Sequence, residues 1–171
     1  MTNSSIQPRP THRRSGGAGG REPRGSADVG PLQDRFVAAD ATPWLPLNDG
    51  TRFRLLRCSP ETGHTTLLLK VAAGTRAAPH VHFGAGEYLV LAGRMEIAGG
   101  AEHGGVTARA GDYGYEANGA VHGETYFPEE TTLYFTRYGP SATLDADGSI
   151  LTVLDWKKLA ALEAQGLATV R

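Results

Sequence analysis

The sequence of 171 residues has little cysteine, no long apolar run and almost no net charge. A single cysteine, Cys58, excludes an internal disulfide framework and favours a reducing compartment. No apolar run reaches the roughly 18 residues that a membrane-spanning helix needs. The N-terminus also lacks the apolar segment of a signal peptide. These absences predict a cytoplasmic protein without a membrane partner.

Large apolar side chains are scarce in residues 1–33, which are rich in Gly, Pro, Ser and Arg. Such a segment buries too little surface to offset the entropy lost on ordering. We therefore predict a disordered tail over residues 1–33 and a single domain over residues 34–171. A basic arm for nucleic acid is the alternative function of this tail. Its arginines are not interleaved with aromatic side chains, so we predict no nucleic-acid partner.

Glycine, by contrast, is abundant, with 23 residues. Short β-capable runs alternate with turn residues along the chain, at 52–59, 65–72, 87–98, 131–139 and 149–154. Gly93 divides the third run, and a glycine-rich hairpin loop follows at 99–105. Repeated short strands of this kind predict an all-β sandwich or barrel rather than alternating strands and helices.

One segment has the pattern of a helix. Asp155 is a suitable N-cap, and Trp156, Leu159 and Leu162 recur at helical spacing on one face. Gly166 is the expected end of the helix. The sequence therefore predicts a short C-terminal α-helix that packs on the outside of the barrel or on a neighbouring subunit.

Three histidines form the candidate metal site. Side chains two apart in a strand share a face, so His80 and His82 point to one place. A bare pair of this kind is equally typical of a surface strand without a ligand. His122 opens a later β-run and is the expected third member, while His64 and His103 lie in turns. Three neutral imidazoles suit Fe, Ni, Cu or Zn.

Two segments resemble the paired motifs of the cupin superfamily. Residues 74–93 contain a glycine, five residues, the two histidines, a glutamate and a closing glycine, and residues 111–122 resemble the second motif. The second motif departs from the usual pattern at Ala117, where proline is usual, and Tyr126 stands where asparagine is usual. The resemblance implies a double-stranded β-helix, or jelly-roll barrel, with one metal ion at its mouth. It also implies a homo-oligomer, a dimer or a tetramer.

The position of Glu87 is one residue out of the usual register. Five residues separate Glu87 from Gly93 where the cupin motif has six, so Gly86 takes the ligand position. A shift of one residue turns a strand side chain to the other face. A bulge at residues 84–86 is the alternative that would return Glu87 to the metal. We expect a three-histidine site, with Glu87 structural or adjacent to the ligands.

Within the cupins, the sequence around both motifs is most similar to the acetylacetone (β-diketone-cleaving) dioxygenases. The dihydroxyacetophenone dioxygenases and the ChrR-like cupins are similar groups. This resemblance implies catalytic roles for Glu116 and Thr125, whose ordinary interpretations are a solvated hairpin glutamate and a strand threonine. Tyr88 has the strand parity to face the cavity. Where the branch is expected to carry an arginine, this chain has Ala98, and the candidate replacements are Arg94 and Arg137.

The resemblance implies an Fe(II) dioxygenase that uses O₂ to cleave a C–C bond in a small β-dicarbonyl or hydroxy-ketone. Zn, Ni and Cu are the other metals that such ligands accept. One alternative function is a non-catalytic zinc-binding module of the ChrR-like kind. Another is a metal-dependent isomerase or lyase, although no lysine lies where it would bind a phosphate or carboxylate.

Overall fold

The computed structural model describes residues 36–170, so the predicted tail at residues 1–33 lies outside the described residues. Over this range the chain forms fourteen strands, two short 3-10 turns and one α-helix. The strands are β1 Leu45–Asn48, β2 Thr51–Cys58, β3 Thr65–Val71, β4 Thr75–Ala77, β5 His80–His82, β6 Gly86–Ala92, β7 Arg94–Ile97, β8 Val106–Arg109, β9 Tyr113–Glu116, β10 Val121–His122, β11 Thr125–Phe127, β12 Thr131–Arg137, β13 Ser141–Leu144 and β14 Ile150–Leu154. The helix is α1, Trp156–Val170.

Every strand pair is antiparallel, and the strands form three sheets. The largest has six strands in the order β1-β2-β3-β12-β6-β9, and the others have the orders β10-β5-β13-β14 and β4-β11-β7-β8. Neighbours such as β3 and β12 are distant in sequence, as the crossing connections of a jelly roll require. The fold is the predicted double-stranded β-helix, the jelly-roll barrel of the cupins.

The core lies between the six-stranded sheet and the sheet that contains β7, β8 and β11. Alternation along each strand sends every second side chain inward. The buried apolar side chains come from both sheets and from the helix: Leu45, Phe53, Leu55, Cys58, Leu67, Val71, Tyr88, Val90, Met95, Ala108, Phe127, Leu133, Phe135 and Leu159. This packing fixes the six-stranded sheet as one wall of the barrel.

The C-terminal helix is confirmed at its start but not at its end. The Lys158 amide donates to Asp155 Oδ1 at 2.8 Å, which is the predicted N-cap, and Leu159 is fully buried. The prediction that Gly166 ends the helix is wrong, because α1 continues to Val170. A Cβ at Gly166 would lie 2.5 Å from Leu45 Cδ2. The glycine therefore permits close contact between the helix and β1.

The predicted strands appear close to their expected bounds, and Gly93 separates β6 from β7 with φ of 80°. The loop at residues 99–105 joins β7 to β8 in a hairpin and contains a 3-10 turn at Ala101–His103. The sequence did not predict β1, β4 or β13. All three are short, and β1 contains Pro46, which is unusual within a strand.

Candidate metal centre

Two short strands bring three histidines together. In β5, His80 and His82 share a face, and β10 pairs antiparallel with β5 so that His122 lies opposite His80. The ring centroids are 5.0 Å apart for His80 and His82, and 5.3 Å for each of the other two pairs. The predicted histidines therefore form one compact cluster, although His82 and His122 are 40 positions apart in the sequence.

A backbone contact orients one of the imidazoles. His80 Nδ1 lies 3.2 Å from the carbonyl oxygen of Ala78, so Nδ1 donates and Nε2 keeps its lone pair. Burial lowers the pKa of His80, with smaller contributions from His82 and His122 in the same direction. A neutral imidazole with a free Nε2 is the form that ligates a metal.

Glu116 joins the cluster from the six-stranded sheet. It ends β9, and its Oε2 lies 2.9 Å from His82 Nε2. Burial raises the pKa of Glu116, but the contact with His82 and the electrostatic interaction with the three nearby histidines outweigh burial and hold that pKa below its usual value. The carboxylate lies over Gly86, where a Cβ would be 3.0 Å from Oε2. Gly86 therefore leaves room for the carboxylate beside the imidazoles.

Buried polar atoms without hydrogen-bond partners concentrate at this place. Among the described residues they include both ring nitrogens of His82, Nε2 of His122, Oε2 of Glu116 and Nε of Arg137. The 2.9 Å contact between His82 and Glu116 is too poorly aligned to count as a hydrogen bond. Buried polar groups normally have hydrogen-bond partners, so this concentration of unpartnered nitrogen and oxygen atoms fits a metal-binding site. Two ligands at about 2.1 Å from one ion lie about 3 Å apart, so the spacing fits a divalent metal.

A group of ligand atoms close enough to share one metal ion differs in one member from the predicted histidine triad. Atoms of His80, His82 and Glu116 lie within 4.8 Å of one another. His122 adjoins this group through its ring and its unpartnered Nε2. The sequence placed Glu116 near the site only through the family resemblance. Its position directly across from Gly86 depends on the pairing of β9 with β6, which only the tertiary structure shows.

Glu87 lies on the opposite face of the same sheet. The pairing of β6 with β9 runs without a break from Gly86 opposite Glu116 to Glu87 opposite Tyr115. The bulge that would return Glu87 to the metal is therefore absent from this pairing. Instead the Tyr138 hydroxyl donates to Glu87 Oε2 at 3.3 Å. The register argument from the sequence is correct in placing Gly86, rather than Glu87, at the site.

The outer face of this sheet also holds a shallow cavity of about 460 Å³. It is lined by Leu56, Arg57, His64, Thr66, Glu87, Tyr134, Thr136 and Tyr138. His64 packs here against Tyr138 with ring centroids 5.0 Å apart, and His103 lies in the exposed turn after β7. Neither histidine belongs to the metal cluster.

The other two predicted catalytic residues are buried. Tyr88 stacks on Phe135 with ring centroids 6.0 Å apart, and Phe135 in turn lies 6.3 Å from the His82 ring. Burial raises the pKa of Tyr88 to about 12, and the charges of Glu116 and Asp112 act in the same direction. Thr125 is buried in β11, opposite Ala77 and Ile97. Leu89, the neighbour of Tyr88, faces outward, as strand parity predicts.

A family model described as the ChrR cupin-like domain matches residues 32–142. The match includes both histidine strands and all six strands of the largest sheet. This chain is a ChrR-like cupin.

Individual relatives of this cupin agree with the family match. The acetylacetone-cleaving enzyme of Acinetobacter johnsonii is 42% identical over 117 residues, which are 68% of this chain and 73% of that enzyme. The crystal structure of an acetylacetone dioxygenase from the same organism is 33% identical, with a TM-score of 0.72, and the match covers 81% of this chain and 96% of that one.

A more distant structure supports the fold alone. An RmlC-like cupin from Ralstonia eutropha is 23% identical, with a TM-score of 0.69, over 83% of this chain and 88% of that one. Within residues 36–170, no helix has both the length and the apolar character to cross a membrane.

Proposed function

We propose that this cupin is a mononuclear Fe(II) dioxygenase that uses O₂ to cleave a C–C bond in a small β-dicarbonyl or hydroxy-ketone. The observation that carries the proposal is the cluster of three histidines, in which His82 is buried and both His82 and His122 have unpartnered ring nitrogens. The similarity to the acetylacetone-cleaving enzyme supports the substrate class. One C–C bond and the O–O bond break, and each product receives one oxygen atom.

In this proposal His80, His82 and His122 hold the metal. Three neutral imidazoles leave the full charge of a divalent ion, which favours an anionic chelating substrate such as an enolate. A bound Fe(II) would supply Lewis acidity and the redox chemistry with O₂. Imidazole nitrogen also accepts Zn, Ni and Cu, so the ligands support iron without excluding those metals.

The remaining predicted residues have supporting roles in this proposal. Glu116 is held ionised beside His82 and can accept a hydrogen bond or a proton from a group in the pocket. Tyr88 stays neutral and, with Phe135, forms an apolar wall that limits access of water. Thr125 offers a buried hydroxyl from β11. Each role concerns orientation, solvent exclusion or a proton.

The partners in this proposal are a small organic substrate, O₂ and a second copy of the chain. The homo-oligomer remains a prediction. It is supported by large apolar side chains that are exposed on the outer face of the six-stranded sheet, namely Leu89, Leu91, Tyr113, Tyr115, Tyr134 and Tyr138. Neighbouring exposed apolar side chains are typical of protein interfaces.

A second candidate function is a non-catalytic zinc-binding module. The match of residues 32–142 to the ChrR cupin-like domain favours it, since the match includes the histidine strands β5 and β10. The two functions differ in a simple property, because only the dioxygenase consumes O₂.

O₂ consumption by protein reconstituted anaerobically with Fe(II) tests the proposal. The panel contains β-diketones, hydroxyacetophenones and small thiols, and Zn(II)-loaded protein is the control. We expect uptake with a β-diketone or hydroxy-ketone in the iron form only. Iron-loaded protein that consumes no O₂ with any β-diketone or hydroxy-ketone would refute the dioxygenase and favour the zinc-binding module.

A further inference from the structure

Arg137 and Glu116 lie in the same row of inward-facing residues on the six-stranded sheet. At the end of β12, it is opposite Gly86 of β6, and Gly86 is in turn opposite Glu116 of β9. Directly opposite residues in antiparallel strands point to the same face. Strands are about 4.8 Å apart, so the backbones of Arg137 and Glu116 are about 10 Å apart with only a glycine between them.

The carboxylate leans toward the arginine across that glycine. Glu116 Oε2 lies 3.0 Å from the position that a Cβ on Gly86 would take. Burial lowers the pKa of Arg137 to about 10, while the charges of Glu116 and then Asp155 raise it. The guanidinium therefore stays protonated at neutral pH. Among the described residues it forms no ion pair with Glu116, so the two charges interact across space.

A hydrogen bond connects Arg137 to the other wall of the site. Its Nη1 donates to Ser141 Oγ at 3.0 Å, and Ser141 of β13 lies opposite His82 of β5. Arg137 is only 5% exposed, and its Nε is buried without a hydrogen-bond partner. The guanidinium is thus a desolvated positive charge between the Glu116 row and the strand that carries two of the histidines.

Arg94, the other candidate from the sequence, occupies a different environment. It lies 3.7 Å from Glu96 and 4.0 Å from Glu129, with 32% of its side chain exposed. Surface pairs of this kind are screened by solvent and have little effect at a distance. Arg137 is therefore the arginine that acts on the metal cluster, and Arg94 is a natural control.

We propose that Arg137 is a positioning residue that offsets the carboxylate of Glu116 and so sets the balance between cation binding and anion binding at the histidine cluster. This inference rests on the proposed metal site. A fixed positive charge behind Glu116 weakens binding of a metal cation. The same charge strengthens binding of an anionic ligand to that metal, which is the binding that an enolate substrate requires.

The test uses Co(II) as the metal and azide as the anion. Co(II) affinity is measured by competition with a chromogenic chelator, and azide affinity by the absorption bands of the Co(II) protein. Arg137→Met should tighten Co(II) binding and weaken azide binding, each by roughly fivefold. A merely structural residue would, on loss, weaken both together. Parallel weakening, or no change in either constant, would overturn the proposal.

Two further variants keep the result interpretable. Arg137→Gln removes the charge but retains a donor for Ser141, and it should give the same opposite shifts even where the methionine variant folds poorly. Arg94→Met is the matched control and should leave both constants unchanged. Equal shifts in Arg94→Met would refute a specific role for Arg137. Azide binding needs neither diketone nor O₂, so failure of the dioxygenase proposal leaves this test intact.

Discussion

At the scale of single residues, burial decides the chemistry of Tyr88. Its ring lies between Phe135 and the backbone of Gly114, where a Cβ would overlap the tyrosine ring. The pKa of Tyr88 is raised to about 12 because the charged form is poorly solvated there. An unfolded chain exposes the same phenol to water, where it ionises near pH 10.

This difference predicts a pH dependence of stability. Between pH 10 and 12 the unfolded chain loses a proton that folded Tyr88 keeps, so the stability that this group contributes falls as the pH rises. The free energy of unfolding of the wild type, minus that of Tyr88→Phe, should be roughly 1 kcal/mol lower at pH 11 than at pH 8. Urea unfolding at both pH values measures it. A difference that is independent of pH would contradict the burial of this hydroxyl.

At the scale of elements, the turn between β6 and β7 depends on Gly93. Its φ is 80°, and a Cβ there would collide with the Glu130 carbonyl and lie 2.7 Å from the Thr131 Oγ1. That hydroxyl donates to the Arg94 carbonyl at 2.8 Å and accepts from the Arg94 amide at 3.1 Å. The glycine therefore provides both a left-handed conformation and room for the hydroxyl that ties β12 to β7.

A matched pair of variants separates these two requirements. Gly74 has a similar φ of 82°, but no neighbouring atom lies within 4 Å of the position that a Cβ would take there. Gly74→Ala should cost about 1 kcal/mol of unfolding free energy from backbone strain. Gly93→Ala adds steric overlap and should cost at least about 3 kcal/mol. Urea denaturation of both variants tests this, and equal losses would show that strain alone governs the Gly93 turn.

At the scale of the whole molecule, the histidine cluster joins parts of the chain that are far apart in sequence. A ligand that binds only the folded state stabilises it by mass action. Zn(II) at about a hundredfold excess over its dissociation constant should therefore raise Tm by roughly 8 °C, and chelation should reverse the rise. His122→Ala should lose most of this shift, since its ring lies 5.3 Å from each of the other two.

His103→Ala is the control for that measurement. His103 lies in the exposed turn after β7, where its Nδ1 is 2.9 Å from the carbonyl oxygen of Gly99. Its removal can change the starting Tm, but the shift on adding Zn(II) should equal that of the wild type. Calorimetry with and without metal gives both numbers. A full shift in His122→Ala would remove this histidine from the ligand set.

Much of the architecture follows from local pattern. Alternating apolar runs and glycine-rich turns predicted the strands, and the spacing of His80 and His82 placed both rings on one face. Counting from Gly93 correctly set Gly86 rather than Glu87 toward the site. These features depend on strand periodicity and on backbone conformations that only glycine adopts readily, and both can be read from neighbouring residues.

Other features depend on which strands become neighbours, and only the tertiary structure decided them. Gly166 reads as a helix end, yet the helix continues because Leu45 of β1 packs against it. The row from Arg137 through Gly86 to Glu116 exists because β12, β6 and β9 are adjacent in one sheet. The burial of Arg137 and Glu116 and the electrostatic interaction between them depend on this strand order, so no local sequence pattern predicts either. The sequence by itself determined the barrel fold and the strand face on which the histidines lie. Long-range strand pairing decided which charged side chains, Arg137 and Glu116, lie close to them.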